Sequence, residues 1–108
     1  MPLDLPGPIA EYFTAEKDRD ALALAQCFVD DGVVRDEGGT FSGTNAIRDW
    51  SAAARKKYQH TVEPLSVIHR DGATIVAGRV AGDVPGRPVT LDHVFRLDGD
   101  KISSLEIR

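Results

Sequence analysis

The sequence predicts a single α+β domain in which a strongly curved antiparallel sheet wraps around three N-terminal helices. Over about the first half of the chain, apolar residues recur every three or four positions, which is the period of an amphipathic helix. From about residue 59 the period changes to two, and turn signals follow at intervals of about ten residues. Strands without intervening helices indicate an antiparallel meander. The 108 residues suffice for one domain with a modest core.

Three helices are predicted in the first half of the chain. The first begins near Pro8, a residue suited to a first helical turn. Asp18 or Asp20 caps the second helix, and Asp30-Asp31-Gly32 ends it. The third begins with Thr44 as its N-cap. Each helix has one face with i, i+3, i+4, i+7 or similar spacing, formed by Ile9, Tyr12, Phe13 and Glu16, then by Ala21, Leu24, Ala25 and Phe28, and finally by Ile47, Trp50, Ala54 and Tyr58.

Five strands are predicted, one short and four long. The short strand, Val33 to Asp36, ends at the turn Glu37-Gly38-Gly39. The long strands cover about residues 59–69, 73–82, 89–97 and 102–107, with a loop at 83–88. A curved sheet that three helices cover only in part forms a cone, or half-open barrel of the cystatin-like kind. Pockets favour the open mouth of such a cone.

Composition and charge exclude several classes of function. The net charge is −4, and the one basic run, Arg55-Lys56-Lys57, falls at a helix C-terminus, where the helix dipole favours cations, so we expect no nucleic-acid partner. Cys27 is the only cysteine, which excludes an intrachain disulfide, and the three histidines lack metal-ligand spacing. The first eight residues lack a basic and apolar leader, and no apolar run approaches membrane-spanning length. We therefore expect a cytoplasmic protein with no metal, cofactor or membrane partner.

Five segments in chain order resemble the SnoaL-like branch of the nuclear-transport-factor-2-like superfamily. They are IAEYF at 9–13, residues 18–28, DDGVV at 30–34, SGTNAIR at 42–48 and DGDKI at 98–102. The resemblance covers nearly the whole chain and implies the cone-shaped fold. It implies no single activity, because the superfamily includes polyketide cyclases, ketosteroid isomerases, scytalone dehydratase, epoxide hydrolases and binding proteins. It also implies a homodimer, since many members pair through the outer face of the sheet.

Asp36 and Tyr12 are the first two candidate catalytic residues. Strand alternation puts Asp36 on the same face as Val34, where an apolar pocket would raise its pKa towards the range of a general base. Alternatively, Asp36 only caps the following turn. Tyr12 lies on the apolar face of the first helix, as an oxyanion donor or as a core tyrosine. The resemblance to ketosteroid isomerases favours the catalytic roles, because their tyrosine and aspartate at these two positions face one cavity.

The third candidate lies in the segment Leu91-Asp92-His93. The resemblance makes Asp92 a candidate, because this segment gives the isomerases a protonated aspartate. Strand alternation instead puts His93 and Phe95 inside and Asp92 outside, unless a bulge shifts the register. We favour His93 as a general acid or base, with a purely structural histidine as the alternative. Ser51 occupies the position where some isomerases have a second supporting tyrosine. Further pocket candidates are Trp50, Tyr58 and His60.

Three functions are compatible with these features. The first is a cofactor-independent cyclase, isomerase or dehydratase acting on a small apolar carbonyl compound. In it Asp36 removes the proton next to the carbonyl, Tyr12 donates to the oxyanion, and His93 is a donor or second proton shuttle. The second is a non-catalytic binder of a small apolar ligand, and the third is a dimeric interaction module. A closed cavity with Asp36 and His93 within hydrogen-bond reach favours catalysis, whereas a cavity filled by side chains favours the interaction role.

Overall fold

Three helices lie against one six-stranded sheet in the computed structural model, which describes residues 3–82 and 88–108. The helices are α1 (Gly7–Lys17), α2 (Ala21–Gln26) and α3 (Thr44–Tyr58). The strands are β1 (Phe28–Asp36), β2 (Gly39–Ser42), β3 (Thr61–Arg70), β4 (Ala73–Ala81), β5 (Val89–Asp98) and β6 (Lys101–Ile107). The α+β prediction is confirmed. The predicted loop at 83–88 lies outside the described residues, apart from Pro88.

The sheet is mixed, with the strand order β2-β1-β6-β5-β4-β3. Strands β3 to β6 form the predicted antiparallel meander. Strand β1, however, pairs with β6 in parallel, so the prediction of a wholly antiparallel sheet is wrong at this point. The sheet does not close into a barrel, because β2 and β3 form its two edges.

The second helix is shorter, and the strand after it longer, than the sequence predicts. Helix α2 ends at Gln26 and β1 begins at Phe28, so Asp30-Asp31-Gly32 lies inside a strand instead of ending a helix. Phe28 is buried in strand β1, and it would also be buried on the apolar face of a longer α2. Its apolar side chain therefore does not distinguish the strand from the helix. The register of β1 against β6 shifts between Phe28 and Val33, and this irregularity interrupts the alternation that would have revealed the strand. Strand β2 was not predicted.

The helix caps agree with the sequence in part. Asp20 caps α2, because its Oδ1 accepts from the backbone N–H of Ala23 at 3.0 Å. Asp18 instead follows the last residue of α1 as its C-cap. Thr44 is the first residue of α3, and the N-cap is Gly43 with φ +90°. That positive φ favours glycine over a residue with a side chain.

The core forms where α1 packs against the inner face of the sheet. Rings of α1 meet Phe95 of β5 edge-on, with centroid separations of 5.3 Å from Tyr12 and 5.8 Å from Phe13. This packing fixes one face of α1 towards the sheet. No helix within residues 3–82 and 88–108 combines the length and apolar character that a membrane crossing needs.

Candidate functional site

A small cavity lies between α1, α3 and the inner face of the sheet. Its volume is about 80 Å³. A cavity of about 150 Å³ is known to hold benzene, so this one encloses only a very small molecule or the reacting end of a larger one. Its wall mixes apolar and ionisable side chains. The lining residues are Tyr12, Glu16, Asp36, Glu37, Trp50, Ser51, Ala54, Tyr58, His60, Val62, Val80, Leu91, His93 and Ile107.

Most of the residues that the sequence singles out meet in this cavity. The ones that line it are Tyr12, Asp36, His93, Trp50, Tyr58 and His60. Asp92 does not line it: the residue is exposed, and its backbone pairs with that of Arg108. Phe95 is fully buried in the core and does not line the cavity either. The register of β5 against β6 shifts between Arg96 and Leu97, after His93, so the strand alternation that places His93 inside is regular at that residue.

Asp36, the last residue of β1, is half-buried in the cavity wall. Its Oδ2 accepts a hydrogen bond from Trp50 Nε1 at 3.1 Å. Burial raises the pKa of Asp36 above its ordinary value, and the Trp50 hydrogen bond offsets only part of this effect. The negative charge of Glu37 raises the pKa further. A carboxylate with a raised pKa is a stronger base than one in water.

Tyr12 stays protonated because of where α1 places it. Burial raises its pKa well above the ordinary value, and the charges of Glu16 and Asp36 act in the same direction. The phenol is therefore neutral near pH 7 and available as an O–H donor. Because the charge of Asp36 raises the pKa of Tyr12, the two groups share one electrostatic environment.

His93 is buried and uncharged. Its Nδ1 lies 3.2 Å from the carbonyl oxygen of Leu91. A carbonyl can only accept, so Nδ1 carries the proton and Nε2 is the acceptor nitrogen of the neutral ring. Burial lowers the pKa of His93, outweighing the Leu91 carbonyl and the charge of Glu16. His93 in this state can accept a hydrogen bond at Nε2.

The close approach of β4 to His93 requires glycine at position 78. A Cβ atom at Gly78 would lie 2.8 Å from His93 Cε1 and 3.0 Å from Val62 Cγ1. Both separations are too short for carbon atoms in ordinary contact. The absence of a side chain at Gly78 therefore leaves the space that the imidazole ring of His93 occupies.

Next to His93 lies a buried charged cluster that the sequence analysis missed. Glu16 Oε2 is 3.7 Å from a guanidinium nitrogen of Arg55, and Oε1 is 3.3 Å from His60 Nε2. Arg55 also donates to the carbonyl oxygen of Ala15 at 3.2 Å. Burial favours a raised pKa for Glu16, but the His60 hydrogen bond and the charge of Arg55 outweigh it and lower the pKa. Glu16 therefore stays ionised near neutral pH.

The position of Arg55 corrects the interpretation of the basic run. Lys56 and Lys57 are exposed, as expected for the end of a helix, but Arg55 is buried. A signal existed in the sequence, because Ile47, Ser51 and Arg55 follow one another at intervals of four residues on the buried face of α3. The helix dipole alone does not explain why Arg55 is buried.

The rim of the cavity carries a second set of contacts. The hydroxyl group of Tyr58 donates a hydrogen bond to Glu37 Oε1 at 2.7 Å. The Lys57 ammonium lies 4.9 Å from the centre of the Tyr58 ring. Near the same rim, Phe41 packs on Trp50 with ring centroids 6.2 Å apart. In the ranges that the structure describes, no group of three or more His, Cys, Asp and Glu residues could hold a metal ion.

The fold and the cavity define an α+β cone-shaped protein with an acid-lined pocket. The sequence profile of the SnoaL-like domain matches residues 9–105, and the chain belongs to the SnoaL-like domain family. A solved protein of Sinorhizobium meliloti with a provisional polyketide cyclase assignment is 38% identical, with 97% of this chain and 96% of that chain covered and a TM-score of 0.92.

Two more distant solved structures share the fold. A Catenulispora acidiphila protein with a ketosteroid isomerase-like fold, in complex with trimethylamine, is 20% identical, with 95% and 85% of the two chains covered and a TM-score of 0.80. A cystatin-fold protein of Novosphingobium aromaticivorans is 19% identical, with 94% of each chain covered and a TM-score of 0.77. No curated protein sequence matches this chain.

Proposed function

We propose that this protein is a cofactor-independent enzyme that transfers a proton at the carbon next to a carbonyl group. The observation that carries the proposal is one small cavity lined by a carboxyl group of raised pKa, Asp36, and a neutral phenol, Tyr12. Such a pair suits enolisation, in which a base removes a proton while a donor stabilises the oxygen anion. The likeness to a provisional polyketide cyclase supports the same broad class.

The chemistry follows from the state of each side chain. The carboxylate of Asp36 takes the proton, the C–H electron pair moves into the carbonyl, and the oxygen becomes an enolate. The O–H of Tyr12 donates a hydrogen bond to that oxygen. The protonated Asp36 then returns the proton to another carbon of a conjugated enolate, which gives isomerisation, whereas return to the same carbon gives only proton exchange. In a cyclisation the enolate carbon attacks a second carbonyl of the substrate, and the protonated Asp36 gives its proton to the alkoxide that forms. Neutral His93 acts as an acceptor that relays a proton, in place of a cationic acid.

The cavity volume limits the substrate. A space of about 80 Å³ accommodates a small ketone or the reacting end of a larger one. The apolar part of the lining, which includes Val62, Val80 and Leu91, suits an apolar substrate. We therefore propose a small apolar carbonyl compound as the substrate class.

Exchange of ketone α-protons tests the proposal directly. Cyclopentanone in D₂O is followed by proton NMR with the wild-type protein, with Asp36→Asn and with Asp92→Asn. We expect Asp36→Asn to lose about 10²- to 10⁴-fold of the catalysed rate. The matched control Asp92→Asn keeps the rate, because Asp92 lies outside the cavity. Equal rates for wild type and Asp36→Asn would remove the base assignment.

A non-catalytic binder is the alternative function, and one contact favours it. The Trp50 hydrogen bond stabilises the charged form of Asp36 and so reduces its basicity. A protein that binds cyclopentanone, detected by Trp50 fluorescence, without accelerating the exchange would be a binder.

We also propose a homodimer formed through the sheet. Leu65 and Ile68 of edge strand β3 are each 46% exposed, and contact with a second copy of the chain would remove their apolar surface from water. Sedimentation velocity over a range of protein concentrations tests this proposal, and a monomer at all concentrations would refute it.

A further inference from the structure

Three buried side-chain atoms in the described part of the chain have no hydrogen-bond partner. They are Ser51 Oγ, Arg55 Nε and His60 Nδ1. Ser51 and Arg55 are one turn apart on α3, and Glu16 links Arg55 to His60. Buried polar atoms in native proteins are nearly always paired, so each unpaired one requires an explanation. Ser51 and His60 line the cavity, so their two unpaired atoms point to a polar group of a bound ligand, whereas Arg55 does not line it.

The chemistry of these atoms defines what that group must be. Arg55 Nε–H can only donate. His60 uses Nε2 towards the carboxylate of Glu16, so in the neutral ring Nε2 carries the proton and Nδ1 accepts. Ser51 can donate or accept. A serine inside a helix often bonds to the carbonyl four residues earlier, but Ser51 Oγ makes no such bond to Ile47. The wall therefore offers a donor and an acceptor to the same partner.

We propose that Ser51 and His60 form a hydroxyl-binding subsite, and that the preferred ligand is a small ketone that also carries a hydroxyl group. The ligand hydroxyl accepts from Ser51 and donates to His60 Nδ1. Glu16 and Arg55 neutralise each other, so the wall suits an uncharged group. Ser51 and His60 both line the cavity.

This inference rests on the proposed function for one point only, which is that Asp36 and Tyr12 bind the carbonyl group of the same ligand. The two pairs of side chains then recognise two groups of one molecule. A site built to bond a hydroxyl discriminates against an analogue without it, because the polar atoms of the protein would remain unpaired. The volume of about 80 Å³ restricts the distance between the two groups to a few bonds.

Fluorescence of Trp50 provides the measurement, because it is the only tryptophan and lines the same cavity. The probes are 4-hydroxy-2-butanone and 2-pentanone, which differ only in a hydroxyl replacing a terminal methyl. We expect the wild type to bind the hydroxy ketone about tenfold more tightly, as one buried hydrogen bond allows. In Ser51→Ala the two affinities should become equal to within about threefold. Ser66→Ala on the exposed part of β3 is the matched control and should keep the tenfold preference.

The outcomes separate this inference from the proposed function. Equal affinities in the wild type, or no quenching by either ketone, would overturn the hydroxyl subsite, and a preference retained in Ser51→Ala would overturn the role of Ser51. If Ser51→Ala loses its far-UV circular dichroism, His60→Lys replaces it, since lysine keeps a donor for Glu16 but has no acceptor atom. Exchange of α-protons is followed in the same samples. A hydroxyl preference without exchange supports the subsite and refutes the enzyme, whereas exchange without a preference does the reverse.

Discussion

Replacing Glu16 with glutamine should destabilise the fold by about 3 kcal/mol, because it leaves a buried guanidinium without its counter-ion. The side chains of Glu16 and Arg55 are each only 8% exposed, so water screens their interaction little. Removing one partner of a buried pair generally costs about 3–5 kcal/mol. The lower end applies here, since Arg55 keeps its bond to the Ala15 carbonyl. The loss is a large part of the roughly 5–15 kcal/mol that stabilises a domain.

The effect of Glu16→Gln depends on pH in a defined direction. The pKa of Glu16 is lowered in the folded protein, so its contribution is fully present above the unfolded pKa of about 4.3 and is lost as pH falls through the folded pKa. The difference in the free energy of unfolding between the wild type and Glu16→Gln should therefore become smaller below about pH 4. Asp36 has a raised pKa and contributes with the opposite sign, but it is present in both proteins.

Urea unfolding at pH 7 and at pH 3.5 measures both effects. Glu63→Gln is the matched control, because Glu63 is exposed on β3. The double variant Glu16→Leu/Arg55→Met should recover most of the lost stability, since it removes the unpaired charge together with its partner. A free energy of unfolding for Glu16→Gln within about 0.5 kcal/mol of the Glu63→Gln value would refute the reasoning.

Two further substitutions test the surroundings of the candidate catalytic groups. Gly78→Ala should destabilise the fold by about 1–3 kcal/mol, because the added Cβ would overlap His93. Gly7→Ala is the control and should be tolerated, since a Cβ there meets no atom within 4 Å. Equal midpoints of thermal unfolding for the two variants would contradict the packing argument. Trp50→Phe removes the hydrogen bond that lowers the pKa of Asp36, so the acidic limb of the exchange rate should move to higher pH; an unmoved limb would show that this bond does not set the basicity.

The sequence predicted those parts of the fold that local periodicity determines. The three helices and the β3–β6 meander each have a regular apolar pattern and turn residues at their ends. The pairing of β1 with β6 joins segments about 70 residues apart in the chain, and no local pattern encodes which strand becomes a neighbour. The beginning of β1 was missed because Phe28 fits the period of α2 as well as that of the strand.

The candidate site was predictable to the extent that strand alternation holds. His93 faces the cavity because the irregularity in β5 comes after it, and Asp36 reaches the wall from the end of β1. Glu16 was noticed only as a position on the face of a helix, since an isolated sequence does not show that a buried carboxylate has a cation within reach. That information depends on how α1 and α3 pack together, which places Arg55 beside Glu16.

Of the three carboxyl groups that line the small cavity, Glu16 and Asp36 have pKa values that are shifted in opposite directions. Glu16 is the more buried of the two, so burial alone would make it the stronger base. The His60 hydrogen bond and the charge of Arg55 reverse that order by stabilising its charged form, whereas for Asp36 burial and the like charge of Glu37 outweigh the Trp50 hydrogen bond and the influence of His60. A carboxylate held ionised by a cation is a fixed charge, and one that is easily protonated can exchange protons. Under the proposed function we therefore expect Asp36 and not Glu16 to transfer the proton, because the pKa of Asp36 is raised and that of Glu16 is lowered.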